Sequence, residues 1–297
     1  MDLVAIVEDF IERSKALSSS QRFAQLQELL SSIPEEHQSE AEDLYFRFRS
    51  GDGNEFVGKC VVVLIHGIRD NAVWHDKLDK LLKSRRSIAA VESIDYGFMN
   101  LFGFIFHWVR ESSRYNEIEI ELDEITRVNP DKTITVIAHS YGTYLFSKFI
   151  KKRNGDSIDR VIFCGSIVKE KFDWNKYRDR DLIQVLNDCG DDDIWPVIAK
   201  IISFRFGAAG KLGFRHKRRA KNRFHACGHD GFFNEEFYLN YWVPYIEEGL
   251  IKDSTHERSN VRWWMSAVTS VQCFILWGSL ISILLLWSLY SLAMFLF

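Results

Sequence analysis

The stretch Ile134-Thr135-Val136-Ile137-Ala138-His139-Ser140-Tyr141-Gly142-Thr143 decides how the rest of the chain is read. Ile134 to Ile137 is apolar and β-branched, which is strand composition, and Thr143 to Lys151 carries its apolar residues at helical spacing. That arrangement suits a strand-to-helix turn that exposes a reactive side chain, in which residue 140 takes a strained backbone conformation holding its hydroxyl above the sheet. Ala138 and Gly142 occupy the positions where a larger side chain would collide with the folded-back helix.

Upstream, Cys60 to Ile65 is a continuous apolar run of strand length, as expected for a strand buried on both faces, and it ends in His66-Gly67-Ile68-Arg69-Asp70. Ala72, Trp74, Leu78, Leu81 and Leu82 then follow at helical spacing, Ile88 to Tyr96 reads as a strand, and Ser113 to Val128 reads as a helix ending at the Asn129-Pro130-Asp131 turn. Downstream, Arg160 to Ile167, Asp181 to Leu186 and Asn222 to Cys227 read as strands, and Asn234 to Glu248 as a helix. Strands alternating with helices at this spacing predict an α/β fold, a mostly parallel sheet with helices on both faces. Reactive groups then belong at the carboxyl ends of the strands, where Ser140 and the His66-Gly67 loop fall. The uncharged aromatic segment Gly97 to Trp108 reads either as a lid or acyl-chain wall near such a site or as core filling.

The pentapeptide Ala138-His139-Ser140-Tyr141-Gly142 resembles the nucleophile elbow of α/β hydrolases, with Ala in place of the first Gly, and His66-Gly67 is similar to that family's oxyanion loop. The resemblance covers roughly residues 58–250. It implies a serine esterase or lipase whose oxyanion hole is made by the N–H groups of Ile68, with Gly67 as the neighbouring alternative, and Tyr141. It also implies triad partners in the order Ser, acid, His, and no metal or organic cofactor. Gly190-Asp191-Asp192-Asp193 followed by Pro196 looks like the family's acid loop and assigns Asp193. Asp188 is the alternate, and Asp191 and Asp192 read equally as an acidic turn or helix cap. His229, in the loop Gly228-His229-Asp230-Gly231, matches the base; His225, within the last strand, is the competitor and reads as structural.

The chain has 297 residues, enough for one such domain with appendages. A net charge of −3 and a pI near 6.3 give no global sign of nucleic-acid binding. Cys60, Cys164, Cys189, Cys227 and Cys273 lack paired spacing and read as free thiols of a reducing compartment rather than disulfides or a metal site. Met1 to Phe10 carries acidic residues and no basic leader, so no secretory signal is expected. Residues 1–57 form a helical extension, with apolar spacing from Val4 to Ile11 and from Phe23 to Leu30; it serves either a protein partner or self-association, or packs on the main domain.

After Arg262 no charged residue occurs through Phe297, a run of 35 residues. This predicts a juxtamembrane segment over 251–272 and a single transmembrane helix over 273–297, with a hairpin bent at Gly278-Ser279 as the alternative. Lys252, Arg258 and Arg262 precede the tail and nothing basic follows it, which places the catalytic domain in the cytoplasm. Residues 211–223 carry seven Lys or Arg and no acid. They read either as an attraction for anionic headgroups, or as a solvated loop, or as partners of the acids in 188–193. Together these features lead to the expectation of a membrane-anchored serine hydrolase acting on a lipid or acyl ester. The second reading is a membrane-perturbing effector whose tail carries the activity while the hydrolase-like domain is a scaffold or sensor. Its order of helical adaptor, lipase-like domain and membrane segment resembles bacterial effectors of antiviral defence.

Overall fold

The computed structural model describes residues 2–14, 19–34, 58–68, 73–97, 101–106, 109–153, 158–176, 184–215 and 219–256, with short helical pieces between 36 and 45 and between 278 and 288. Among the described residues six strands, β1 (Cys60–Ile65), β2 (Ile88–Ile94), β3 (Thr133–His139), β4 (Arg160–Cys164), β5 (Gln184–Gly190) and β6 (Ala220–His225), form one sheet in the order β2-β1-β3-β4-β5-β6. Every neighbouring pair is parallel.

Alternation along the strands divides the apolar core in two, because successive side chains leave opposite faces of the sheet. From β1, Val61, Val63 and Ile65 enter one cluster with Ile134, Val136, Val161 and Phe163. Cys60, Val62 and Leu64 enter the other with Ile137, Ile162 and Leu186. Covering the first face are α5 (Glu111–Val128) and α6 (Tyr141–Arg153), through Ile118, Leu122, Leu145 and Phe149. The second is covered by α3 (Val73–Lys83) and by a composite helix α7 that runs through Glu235–Phe237, a π-helical turn Tyr238–Trp242 and Val243–Glu248. Burial on both faces explains the near-continuous apolar character of β1.

The first two helices, α1 (Leu3–Ser14) and α2 (Ser19–Ser32), bury Val7, Phe10, Ile11, Leu26 and Leu30 in a cluster that also takes in Ile33, Ala41 and Tyr45. Of the apolar tail, Ile283, Leu285, Leu286 and Trp287 are helical and exposed. Among the described residues no helix is long and apolar enough to cross a membrane, and most of 257–297 lies outside them.

Several sequence-based boundaries shift. Strand β2 stops at Ile94, so Tyr96 stands in the loop beyond it. The strand expected to end at Leu186 continues to Gly190; Asn187, Asp188 and Cys189 are strand residues whose polarity disguised them. The last strand ends at His225 rather than Cys227. Phe104, in the short helix α4 (Leu101–Ile105), is a core residue stacked on Phe206 at 5.1 Å, whereas Phe106 is exposed; Phe98 to Asn100, His107 and Trp108 fall outside the described residues.

Candidate active site

Between β1 and β3 the chain reverses its direction of travel across the sheet, since β2 lies on the far side of β1 and all later strands lie beyond β3. A crevice opens at such a point beyond the carboxyl ends of the strands. Ser140 follows β3 there. Its φ is 50°, the left-handed region, and no other non-glycine residue among those described has a positive φ. The conformation is held by the Ser140 N–H donating to the Cys164 carbonyl (3.1 Å) and by the Thr143 N–H and hydroxyl donating to the Ser140 carbonyl (3.1 and 2.6 Å). A Cβ on Gly142 would stand 2.5 Å from the His66 carbonyl oxygen, and one on Gly67 would stand 2.8 Å from Ser140 Cβ. The His66-Gly67 loop and the elbow therefore pack at a separation that only glycine permits.

That loop is fixed by a group the sequence reading did not single out. The Tyr96 hydroxyl donates to the carbonyls of His66 (2.6 Å) and Gly67 (3.2 Å), and its ring stacks on His66 at 4.2 Å. His66 Nδ1–H donates to the Gly67 carbonyl (2.8 Å) as well. A trans peptide points its N–H opposite to its C=O, so holding the Gly67 carbonyl on the Tyr96 side turns the Ile68 N–H to the other side. Tyr141 is the first residue of α6, where a helix offers no acceptor for the N–H. Its buried phenol is raised well above the usual tyrosine range by desolvation, with the nearby Glu111 charge acting in the same direction.

Asp193 and His229 come together at the ends of β5 and β6. His229 Nδ1 lies 2.8 Å from Asp193 Oδ2, and Asp193 Oδ1 accepts the Trp195 N–H at 3.0 Å. The Asp193 side chain is fully buried and the His229 ring is slightly exposed. A Cβ on Gly165 would come within 2.7 Å of His229 Cε1 and 3.1 Å of His139 Nε2, and Gly165 itself has a φ of 56°. Thus the base sits over the end of β4, its ring 4.5 Å from that of His139, the residue preceding Ser140. No hydrogen bond joins the Ser140 hydroxyl to His229 among the described residues. Catalytic hydrogen bonds are often long before substrate binds.

The alternates, Asp188 and His225, pair with one another instead, at 3.0 Å. Asp188 also takes both forks of Arg223, at 2.6 and 2.9 Å, and the Trp242 indole N–H at 2.8 Å. Burial disfavours its charge, yet Arg223 and His225 outweigh burial and hold the carboxyl far below the usual range. A third pair, Asp191 with His256 at 2.8 Å, was not anticipated, because His256 lies 65 residues along the chain. Two members of the basic run of 211–223 are interior and pair with the acidic segment, one of the readings the sequence offered. Lys211 is buried and donates to the Asp191 carbonyl, and Arg223 is buried on Asp188. Residues 216–218 lie outside the described residues. Cys60, Cys164, Cys189 and Cys227 are free thiols, and burial, with the aspartates around it, pushes the Cys227 thiol up to about 12.

Apolar side chains neighbour two of these residues. Tyr141 meets Phe104 and Phe206 edge-on at 6.0 Å, while Ile194 and Trp195, which follow Asp193, remain 59% and 44% exposed. The Trp195 ring lies 6.4 Å from that of His229.

Neither a protein-family model nor a curated protein sequence matches the chain. Among solved structures it is similar to a predicted CIB-like hydrolase from Thermoplasma acidophilum, at 13% identity and a TM-score of 0.37 over 74% of this chain and 86% of that one. It is also similar to Est1E from Butyrivibrio proteoclasticus, at 13% identity and a TM-score of 0.38 over 63% and 86%. With the thioesterase domain SrfTE, described as cyclising the lipopeptide antibiotic surfactin, it shares 15% identity and a TM-score of 0.33 over 60% and 86%.

Proposed function

We propose that this chain is a serine hydrolase cleaving an ester, with Ser140 as nucleophile, His229 as base and then acid, and Asp193 as the group that orients and charge-stabilises His229. One conjunction carries the reading: a serine in left-handed backbone and a histidine hydrogen-bonded to a buried aspartate, both at the carboxyl ends of one parallel sheet. With Nδ1–H donated to Asp193, His229 presents Nε2 to take the Ser140 proton as Oγ bonds to the ester carbonyl carbon. The carbonyl oxygen becomes an oxyanion held by the N–H groups of Ile68 and Tyr141, donors of a kind worth about 3 kcal/mol each. His229 returns the proton to the leaving alcohol as the C–O bond breaks, and water then releases the acyl group from Ser140 by the same steps.

Exposed Ile194 and Trp195 beside Asp193 favour an apolar acyl ester, and the uncharged tail after Arg262 favours attachment to a membrane with the catalytic domain on the cytoplasmic side. The test is hydrolysis of p-nitrophenyl esters from acetyl to palmitoyl by detergent-solubilised protein. Wild type turns over, with preference for longer chains. Ser140→Ala falls by about 10⁴-fold or more. Removing residues 263–297 leaves hydrolysis of the soluble ester but abolishes membrane retention. Equal turnover by wild type and Ser140→Ala would overturn the reading, and an effect on membranes that needs only the tail would favour the effector alternative.

A further inference from the structure

On the flank of the sheet covered by α6, a groove of about 720 Å³ collects seven cations, Lys148, Lys151, Lys152, Lys169, Lys171, Lys176 and Arg205, against two carboxylates, Glu111 and Asp173. Its size is that of a small-molecule site. Lys148, Lys151 and Lys152 stand three and four residues apart on α6, and like charges at that spacing repel. Part of this charge is met from within. Glu111, buried at the start of α5, pairs with Lys148 and with Arg205 at 2.8 Å, and Lys152 pairs with Glu119. Although burial alone would raise the Glu111 carboxyl, these cations hold it below the usual carboxylate value.

The remainder is unmet. Lys151, Lys169, Lys171 and Lys176 make no ion pair among the described residues; Lys151 instead stands 5.3 Å over the Phe172 ring. Three of them come from the segment after β4 and one from α6, two separate elements that converge on one concavity whose floor includes Tyr144 and Val168. Dispersed lysines on a convex surface repel little; lysines converging on a groove raise the local potential and attract anions. Lysine binds phosphate as a point charge with freely rotating donors.

We infer that this groove binds a multiply charged, phosphate-bearing anion, either free or as a lipid headgroup, at a site separate from Ser140. Bound there, the anion offsets the repulsion among Lys151, Lys169 and Lys171.

The test is isothermal titration of tripolyphosphate into the full chain in nonionic detergent, for wild type, for the triple variant Lys151→Gln, Lys169→Gln, Lys171→Gln, and for a control triple on α3, Lys77→Gln, Lys80→Gln, Lys83→Gln. Saturable binding is expected, weakening with added salt, reduced at least about tenfold in the groove triple and unchanged in the control. All six side chains are exposed or partly exposed, so both triples retain the fold. Flotation with phosphatidylcholine vesicles, with and without a phosphoinositide, separates the sources. Tripolyphosphate binding with no preference between the vesicles assigns a soluble ligand, and a phosphoinositide preference lost in the groove triple assigns a headgroup. Absence of saturable tripolyphosphate binding together with a vesicle preference that survives the groove triple, or with no preference at all, would overturn the inference, as would equal weakening in both triples.

Discussion

Two aspartate–histidine pairs lie five residues apart on the same strand end, and they are built for opposite purposes. In Asp188–His225 the carboxylate is shared among a bidentate guanidinium, an indole N–H and the imidazole, with neither oxygen exposed. Its charge is already neutralised by Arg223. Phe232, Phe237 and Tyr241 pack edge-on around His225. In Asp193–His229 no lysine or arginine pairs with the carboxylate among the described residues, and the partly exposed ring lies beside that of His139, the residue before Ser140. A buried carboxylate with its charge unspent can stabilise an imidazolium as it forms. One bound to arginine holds a sheet edge together.

The comparison predicts a crossed pair of phenotypes. Asp193→Asn should lower kcat by about 10⁴-fold, since the amide no longer fixes the tautomer or stabilises the imidazolium, while the urea midpoint moves less than in the other variant. Asp188→Asn should do the reverse, costing about 3–5 kcal/mol of stability by leaving Arg223 buried and uncompensated, with turnover per folded molecule preserved. Equal kinetic losses in the two variants would erase the distinction.

Acid should sharpen it further. The folded Asp188 carboxyl lies below its unfolded value of about 3.9, so in the window between the two the unfolded chain binds more protons and stability rises with pH. The contribution is complete above the unfolded value and disappears as pH falls through the folded one. Urea midpoints measured downward from neutral pH should decline below about pH 4 in wild type, and less steeply in Asp188→Asn.

The smallest expected effect concerns the oxyanion loop. Tyr96→Phe removes the hydroxyl that holds the His66 and Gly67 carbonyls while keeping the ring stack, and kcat should fall about tenfold with KM little changed. A change confined to KM would place Tyr96 in substrate contact instead.

Strands β1, β3 and β4 were legible because burial on both faces writes an apolar run into the sequence, and the turn at Ser140 was legible because small residues bracket it. The end of β5 was not. Asn187 is polar but wholly buried, donating to the Ala209 carbonyl and to Asn222 Oδ1, partners 22 and 35 residues distant. For the basic run from Lys211 the sequence offered three readings, and pairing with the acids of 188–193 is the one Lys211 and Arg223 take; which members turn inward was not legible, since their partners Asp191 and Asp188 lie 20 and 35 residues away. Among the aspartates of 188–193 the sequence resemblance assigned Asp193 with Asp188 as alternate; in the structure three of them each pair with a different histidine, and the one whose ring lies beside that of His139, the residue before Ser140, is His229, the partner of Asp193.

The central claim, that Ser140 is a nucleophile activated by the His229–Asp193 pair, is tested most directly by fluorophosphonate labelling of the detergent-solubilised chain followed by peptide mapping. Covalent label on Ser140, lost in His229→Ala and strongly slowed in Asp193→Asn but retained in Asp188→Asn, is the predicted result. Label on another residue, or labelling of Ser140 that proceeds equally well without His229, would contradict it.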